Sequence, residues 1–142
     1  MTTAQVESFG VPWEEGYGYV QAVRRGDTIY VSGQLANEGP DLVAPAPTDE
    51  NRRITDSSAM GEQIRQTYVN IERLLARFGA SLADIVEEVI YVLDMDAAFA
   101  VVGDVRKAAY GVPVPPVAST IVECTRLAFP EQLVEIKVIA RV

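Results

Sequence analysis

The sequence predicts an α+β fold: a two-layer sandwich in the order β-β-α-β-α-β-β, with two helices on one face of a mixed sheet. Three observations carry this. Residues 133–142 sort by parity: Val134, Ile136, Val138, Ala140 and Val142 are all apolar, while Leu133, Glu135, Lys137, Ile139 and Arg141 form a mixed set. That is the period-two signature of a strand with one face on a core. Residues 58–78 follow helical spacing instead, with Met60, Ile64, Tyr68, Ile71, Leu74, Leu75 and Phe78 on one stripe. Finally, β-branched runs and helical runs are separated by Gly and Pro punctuation throughout, with no internal repeat.

In chain order, residues 1–16 read as irregular, because Pro12 and Gly16 interrupt any regular pattern. Residues 17–25 and 28–35 read as two strands joined at Arg25-Gly26-Asp27, a tight-turn signal. Residues 36–57 form a long loop, where Pro40, Pro45 and Pro47 forbid a regular helix. Loops of this length often border a site; a plain connector is the alternative. The helix at 58–78 ends at Gly79, placed as a terminator. Residues 82–93 make a third strand, with Val86, Ile90 and Val92 on one parity. Asp94 or Asp96 then caps a second helix over 97–110. Gly111, Pro113, Pro115 and Pro116 end it, and strands at about 117–125 and 133–141 close the chain. At 142 residues the chain reads as one domain, 1–142, with one core.

Composition narrows the chemistry. The net charge of −8 repels phosphate backbones and argues against nucleic-acid partners. There is no histidine, which removes His-dependent triads, His metal sites and the usual neutral-pH proton shuttle. The single cysteine, Cys124, forms no internal disulfide and fits a reducing compartment. No apolar run approaches the roughly 18 residues of a membrane span, and no signal-peptide pattern opens the chain. The expected location is the cytoplasm, with no membrane partner. Acid–base work falls to carboxylates, tyrosine, lysine, backbone or water. Glu135, on the mixed face of the last strand, is the first candidate; a salt bridge with Lys137 or Arg126 is its structural alternative.

Several motifs resemble one family. Gly26-Asp27-Thr28-Ile29-Tyr30-Val31-Ser32-Gly33-Gln34 is similar to the hairpin signature of the Rid family, also known as YjgF or "endoribonuclease L-PSP". Gln63 and Asn70, the run Gly79-Ala80-Ser81-Leu82-Ala83-Asp84-Ile85-Val86, Tyr91-Val92-Leu93-Asp94-Met95, and Leu133-Val134-Glu135-Ile136 with Ile139-Ala140 match it too. The resemblance covers residues 17–142. It implies a chorismate-mutase-like fold and a homotrimer with clefts between subunits. It also implies hydrolysis of reactive imines and enamines to ketones and ammonia, without metal or organic cofactor. By the same resemblance Glu135 positions the water as the catalytic residue, Tyr19 lines the cleft, and the backbone at Gly33 closes on the substrate.

The sequence departs from the family where a strand arginine grips the substrate carboxylate. One register puts Ser119 at that position, the other Ala118; Gly103 replaces a family asparagine on the second helix. Losing the bidentate grip argues against amino-acid-derived imino acids. Ser119 and Thr120 are expected to hydrogen-bond a neutral substrate there. Arg106 or Arg126 could restore a positive charge from another direction; surface ion pairing is the alternative for both. Two further readings stand beside imine hydrolysis: a metabolite-binding or regulatory protein without catalysis, and a ribonuclease.

Overall fold

The computed structural model describes residues 3–142. In chain order its elements are β1 (Gln5–Glu7), α1 (Pro12–Tyr17), β2 (Ala22–Arg25), β3 (Thr28–Gln34), β4 (Asn37–Glu38), β5 (Asp41–Leu42), α2 (Met60–Ala76), a 3-10 turn (Leu82–Asp84), β6 (Ile85–Val92), α3 (Met95–Tyr110), β7 (Ala118–Glu123) and β8 (Val134–Arg141). Six strands form one mixed sheet in the spatial order β1-β2-β3-β8-β6-β7, and β4-β5 is a separate small hairpin. Every neighbouring pair in the large sheet is antiparallel except β6–β7. A parallel pair needs a crossover, and α3 supplies it.

The α+β sandwich stands as the sequence predicts. The even-numbered residues of β8, Val134, Ile136, Val138 and Ala140, are buried with Ile29, Val31, Ile90 and Val92 against Met60, Ile64, Ile71 and Leu74 of α2. Each such side chain contributes roughly 1.5–3 kcal/mol on burial. Neither α2 nor α3 covers the opposite sheet face. Helix α3 begins where Asp94 Oδ1 accepts the Ala97 N–H at 3.0 Å, and stops at Gly111, whose φ of 75° is left-handed.

Three details differ from the sequence expectation. The segment expected to be irregular carries β1 and α1: Pro12 opens α1 at its first position, where no N–H is needed, and Gly18 ends it at φ 77°. The Glu14 carboxylate accepts the Phe9 and Gly10 N–H groups, each at 2.9 Å, and so fixes the entry to α1. Tyr17 to Tyr19 therefore belong to a helix end and a turn, and the first hairpin strand starts only at Ala22. On β6 the expected parity breaks: a bulge between Ile85 and Glu87 turns Val86 outward and Ile85 into the core. The 36–57 loop is pinned rather than loose. Asn70 Nδ2 donates to the carbonyls of Leu35 and Asn37, and Gln63 Nε2 to those of Ala44 and Glu131. Gln63 Oε1 accepts the Leu133 N–H at 2.8 Å, so α2 sets the position at which β8 begins. Among the described residues no helix is long and apolar enough to cross a membrane.

Candidate functional site

Glu135 projects from β8 away from the helices. It pairs with Tyr91 on β6, which pairs with Val122 on β7, while its neighbours Val134 and Ile136 are in the core. Directly paired residues share a face, so Glu135, Tyr91 and Val122 lie together on the open side. No Lys or Arg forms an ion pair with Glu135 among the described residues, so neither Lys137 nor Arg126 neutralises it. Burial raises its carboxyl above the ordinary glutamate range, and Gln132 beside it offsets part of that.

The β3–β8 register slips between Val31 and Gln34, which puts a bulge at Ser32-Gly33 beside this carboxylate. A Cβ built on Gly33 would stand 2.4 Å from Glu135 Oε2. Only glycine leaves room for the carboxylate in this position. Together they floor a cleft of about 830 Å³, walled by Trp13 and Tyr17 of α1, by Tyr19, and by Phe129 from the β7–β8 connection. Trp13 and Phe129 meet edge-on, with ring centroids 5.3 Å apart. Burial raises the Tyr19 hydroxyl; Gln21 works against this, and the Glu14 and Glu135 carboxylates add to it. Tyr19 thus stands within reach of the catalytic candidate's field. Cys124 is half-buried; desolvation, then the charges of Glu135 and Glu123, raise its thiol, which keeps it a poor nucleophile.

The remaining expected site residues lie elsewhere in the subunit. Ser119 pairs with Glu88, which pairs with Val138, so it faces the helices, on the side opposite Glu135. Its hydroxyl donates to Glu88 Oε2 at 2.7 Å and accepts from Arg106 Nη2 at 2.9 Å. Glu88 is fully buried and also receives Arg106 Nε at 3.0 Å, Tyr68 at 2.9 Å and Tyr110 at 3.0 Å. Burial and the Glu88 charge push both tyrosine hydroxyls far up. For Arg106, desolvation acts against its charge, but the Glu88 carboxylate and the Tyr68 hydroxyl together outweigh it and raise its pKa. Thr120 pairs with Val89 and shares the open face, but sits on the edge strand outside the cleft wall. Arg126 is exposed after β7 and is not part of the wall either. The single chain therefore joins Glu135, Tyr19 and Gly33, and does not bring Ser119, Thr120 or Arg126 to them.

Sequence reasoning missed Trp13, Tyr17 and Phe129. The signal for the first two was present: Pro12 followed by Glu14 and Glu15 is a helix-start pattern. It also missed the Glu88 cluster, although Glu88 shares the core parity of Ile90 and Val92. Among the described residues, no group of three or more His, Cys, Asp or Glu side chains is placed to hold a metal ion.

The sequence profile of the family described as endoribonuclease L-PSP matches residues 14–142. A RutC family protein of Pyrococcus horikoshii is 30% identical over 122 residues, 86% of this chain and 85% of that protein. The mitochondrial protein mmf1 of Schizosaccharomyces pombe is 30% identical over 122 residues, covering 86% of this chain and 67% of that one. A crystal structure of a Mycobacterium tuberculosis member of the YjgF/YER057c/UK114 family superposes with a TM-score of 0.76 at 34% identity, over 99% of this chain and 100% of that chain.

Proposed function

The chain belongs to the endoribonuclease L-PSP family, the YjgF or Rid group, and from that membership we propose that it hydrolyses a reactive imine at the Glu135 cleft. The observation that carries this reading is the carboxylate itself. Glu135 is partly desolvated, free of any cationic partner among the described residues, and held against a glycine bulge at the floor of an aromatic cleft. Such a carboxylate accepts a proton from a water and aims it at a bound electrophile. The water oxygen adds to the C=N carbon while the nitrogen takes up the proton. The carbinolamine then expels ammonia, so an iminium and one water become a ketone or aldehyde and ammonium. No cofactor is required, because a protonated C=N carbon is already electrophilic.

The position of Ser119 bears on the substrate. Where an arginine fork would hold a carboxylate, this chain has a hydroxyl committed to Glu88 and Arg106. Arg106 carries the nearby positive charge, but Glu88 neutralises it at 2.9 Å. This favours imines without a carboxylate over imino acids. In the proposed assembly three copies pack their open sheet faces together, and each cleft is completed by an adjoining subunit.

The test is to generate imines with amine oxidases and amino-acid oxidases, trap them with semicarbazide, and measure how far the protein lowers the trapped fraction. Amine-derived imines should be consumed and imino acids should not. Glu135→Gln should lose at least about 100-fold in kcat/KM, the typical worth of a positioned general base, with its circular dichroism unchanged. Equal turnover by native protein and variant would sink the assignment.

A second reading, a metabolite-binding protein without catalysis, is favoured by the same engaged Ser119. Saturable binding with no turnover on any imine would select it. A ribonuclease fits least: the net charge is −8 and there is no histidine.

A further inference from the structure

We infer that the cleft selects a cation: an iminium or ammonium nitrogen carried on an apolar or aromatic body, with the nitrogen at Glu135 and the body among Trp13, Tyr17, Tyr19 and Phe129. This deepens the proposed reading by naming the charge and shape of the ligand, and it rests on that reading only for the location of the site.

The wall of the cleft contributes four aromatic rings and one charged side chain, and that charge is negative. Aromatic faces are electron-rich and attract cations, most strongly where water is thinned out. The edge-on contact between Trp13 and Phe129 fixes both rings without stacking their faces together. A half-buried carboxylate without a counter-charge is costly, and a ligand cation relieves that cost. Glu14, the buried residue of α1, adds a second negative charge felt at Tyr19. The chain's net charge of −8 draws cations towards it over a longer range. The cation that could have reversed this preference, Arg106, is on the other sheet face and is tied to Glu88.

The same arrangement suits the reaction. An iminium is the activated form of the substrate, and a site that favours it over the neutral imine lowers the barrier to water addition. The released ammonium would be held weakly, since it lacks the apolar body.

Trp13 is the only tryptophan in the chain, so intrinsic fluorescence reports on this cleft directly. Native protein should be titrated with benzylammonium, benzyl alcohol and phenylacetate at equal ionic strength and pH 7. Benzylammonium should bind at least about tenfold more tightly than benzyl alcohol, and phenylacetate most weakly. Glu135→Gln should bring the first two within about twofold of each other. The inference is overturned by equal affinities, by a preference that survives in Glu135→Gln, or by no saturable change with any of the three. The native panel alone decides the matter if the variant fails to fold. The two readings fail separately: imine turnover without a cation preference sinks this inference alone, and a cation preference without turnover sinks only the hydrolase.

Discussion

At the scale of single residues, the Gly33–Glu135 contact is the tightest constraint in the cleft. Gly33→Ala puts a methyl 2.4 Å from Glu135 Oε2, and the carboxylate must move to avoid it. A glutamate side chain can swing aside, so the fold should survive with a loss of no more than about 1–2 kcal/mol. Activity should not, since a displacement of about 1 Å at a reacting group can cost about 100-fold. Parallel measurement of kcat/KM and urea midpoint checks this; a Gly33→Ala enzyme with native turnover would show that the contact has no role. Glu135 itself should act against stability at neutral pH. Its carboxyl keeps its proton to higher pH in the folded chain than in the unfolded one. Between those two values the folded state binds more protons, so stability falls as pH rises. Glu135→Gln should therefore raise the melting temperature at pH 7 and do so less at pH 4, where both states are largely protonated. The kcat/KM profile of native protein should rise with pH through a value above the ordinary 4.5 of glutamate. Glu135 was legible from parity and Tyr19 from resemblance. Their approach to Gly33 was not, because a bulge re-aims side chains without altering the residue pattern.

At the scale of elements, the Glu88 cluster joins four of them: Tyr68 of α2, Arg106 and Tyr110 of α3, Glu88 of β6 and Ser119 of β7. Each partner satisfies the carboxylate, and the carboxylate in turn fixes the crossover helix over the parallel pair. Glu88→Ala would strand a guanidinium and three hydroxyls. Removing one partner of a buried pair costs about 3–5 kcal/mol, and Arg106, 22% exposed, retains some access to water, which argues for about 3. Tyr68→Phe removes one hydrogen bond and should cost about 1–1.5 kcal/mol. Urea unfolding of both variants checks the ranking; a Glu88→Ala protein as stable as Tyr68→Phe would mean the cluster is not what holds α3. The sequence could show that Glu88 lies at core parity, but not that its partners come 20, 18, 22 and 31 residues away. Long-range hydrogen bonds leave no periodic trace. Helix α1 was lost for a different reason: at six residues it is too short for its spacing to stand out, and only its opening Pro12 and acidic first turn mark it.

At the scale of the whole molecule, the decisive feature is the sheet face that neither α2 nor α3 covers. Tyr30, 51% exposed, pairs there with the half-buried Ile139, and Val122, 40% exposed, lies in line with Tyr91 and Glu135. Alternation within β8 predicted this face, because one parity is apolar enough for a core and the other is mixed; Leu133, expected on the mixed face, instead precedes the strand and is buried in the core. In the proposed assembly the surface that covers this face would belong to another copy, and no pattern within one chain encodes that. The residues of this face, Thr120 among them, would then be buried against that copy. The expected result is a sedimentation mass of three times the 15.5 kDa chain, with a melting temperature that rises with protein concentration. Val122→Asp places a charge on that face without touching the core. It should dissociate the assembly, remove the concentration dependence and lower activity, while leaving the secondary structure intact. If native protein sediments as a monomer, or if Val122→Asp dissociates it with turnover unchanged, then each cleft is complete within one chain and Thr120 has no part in it.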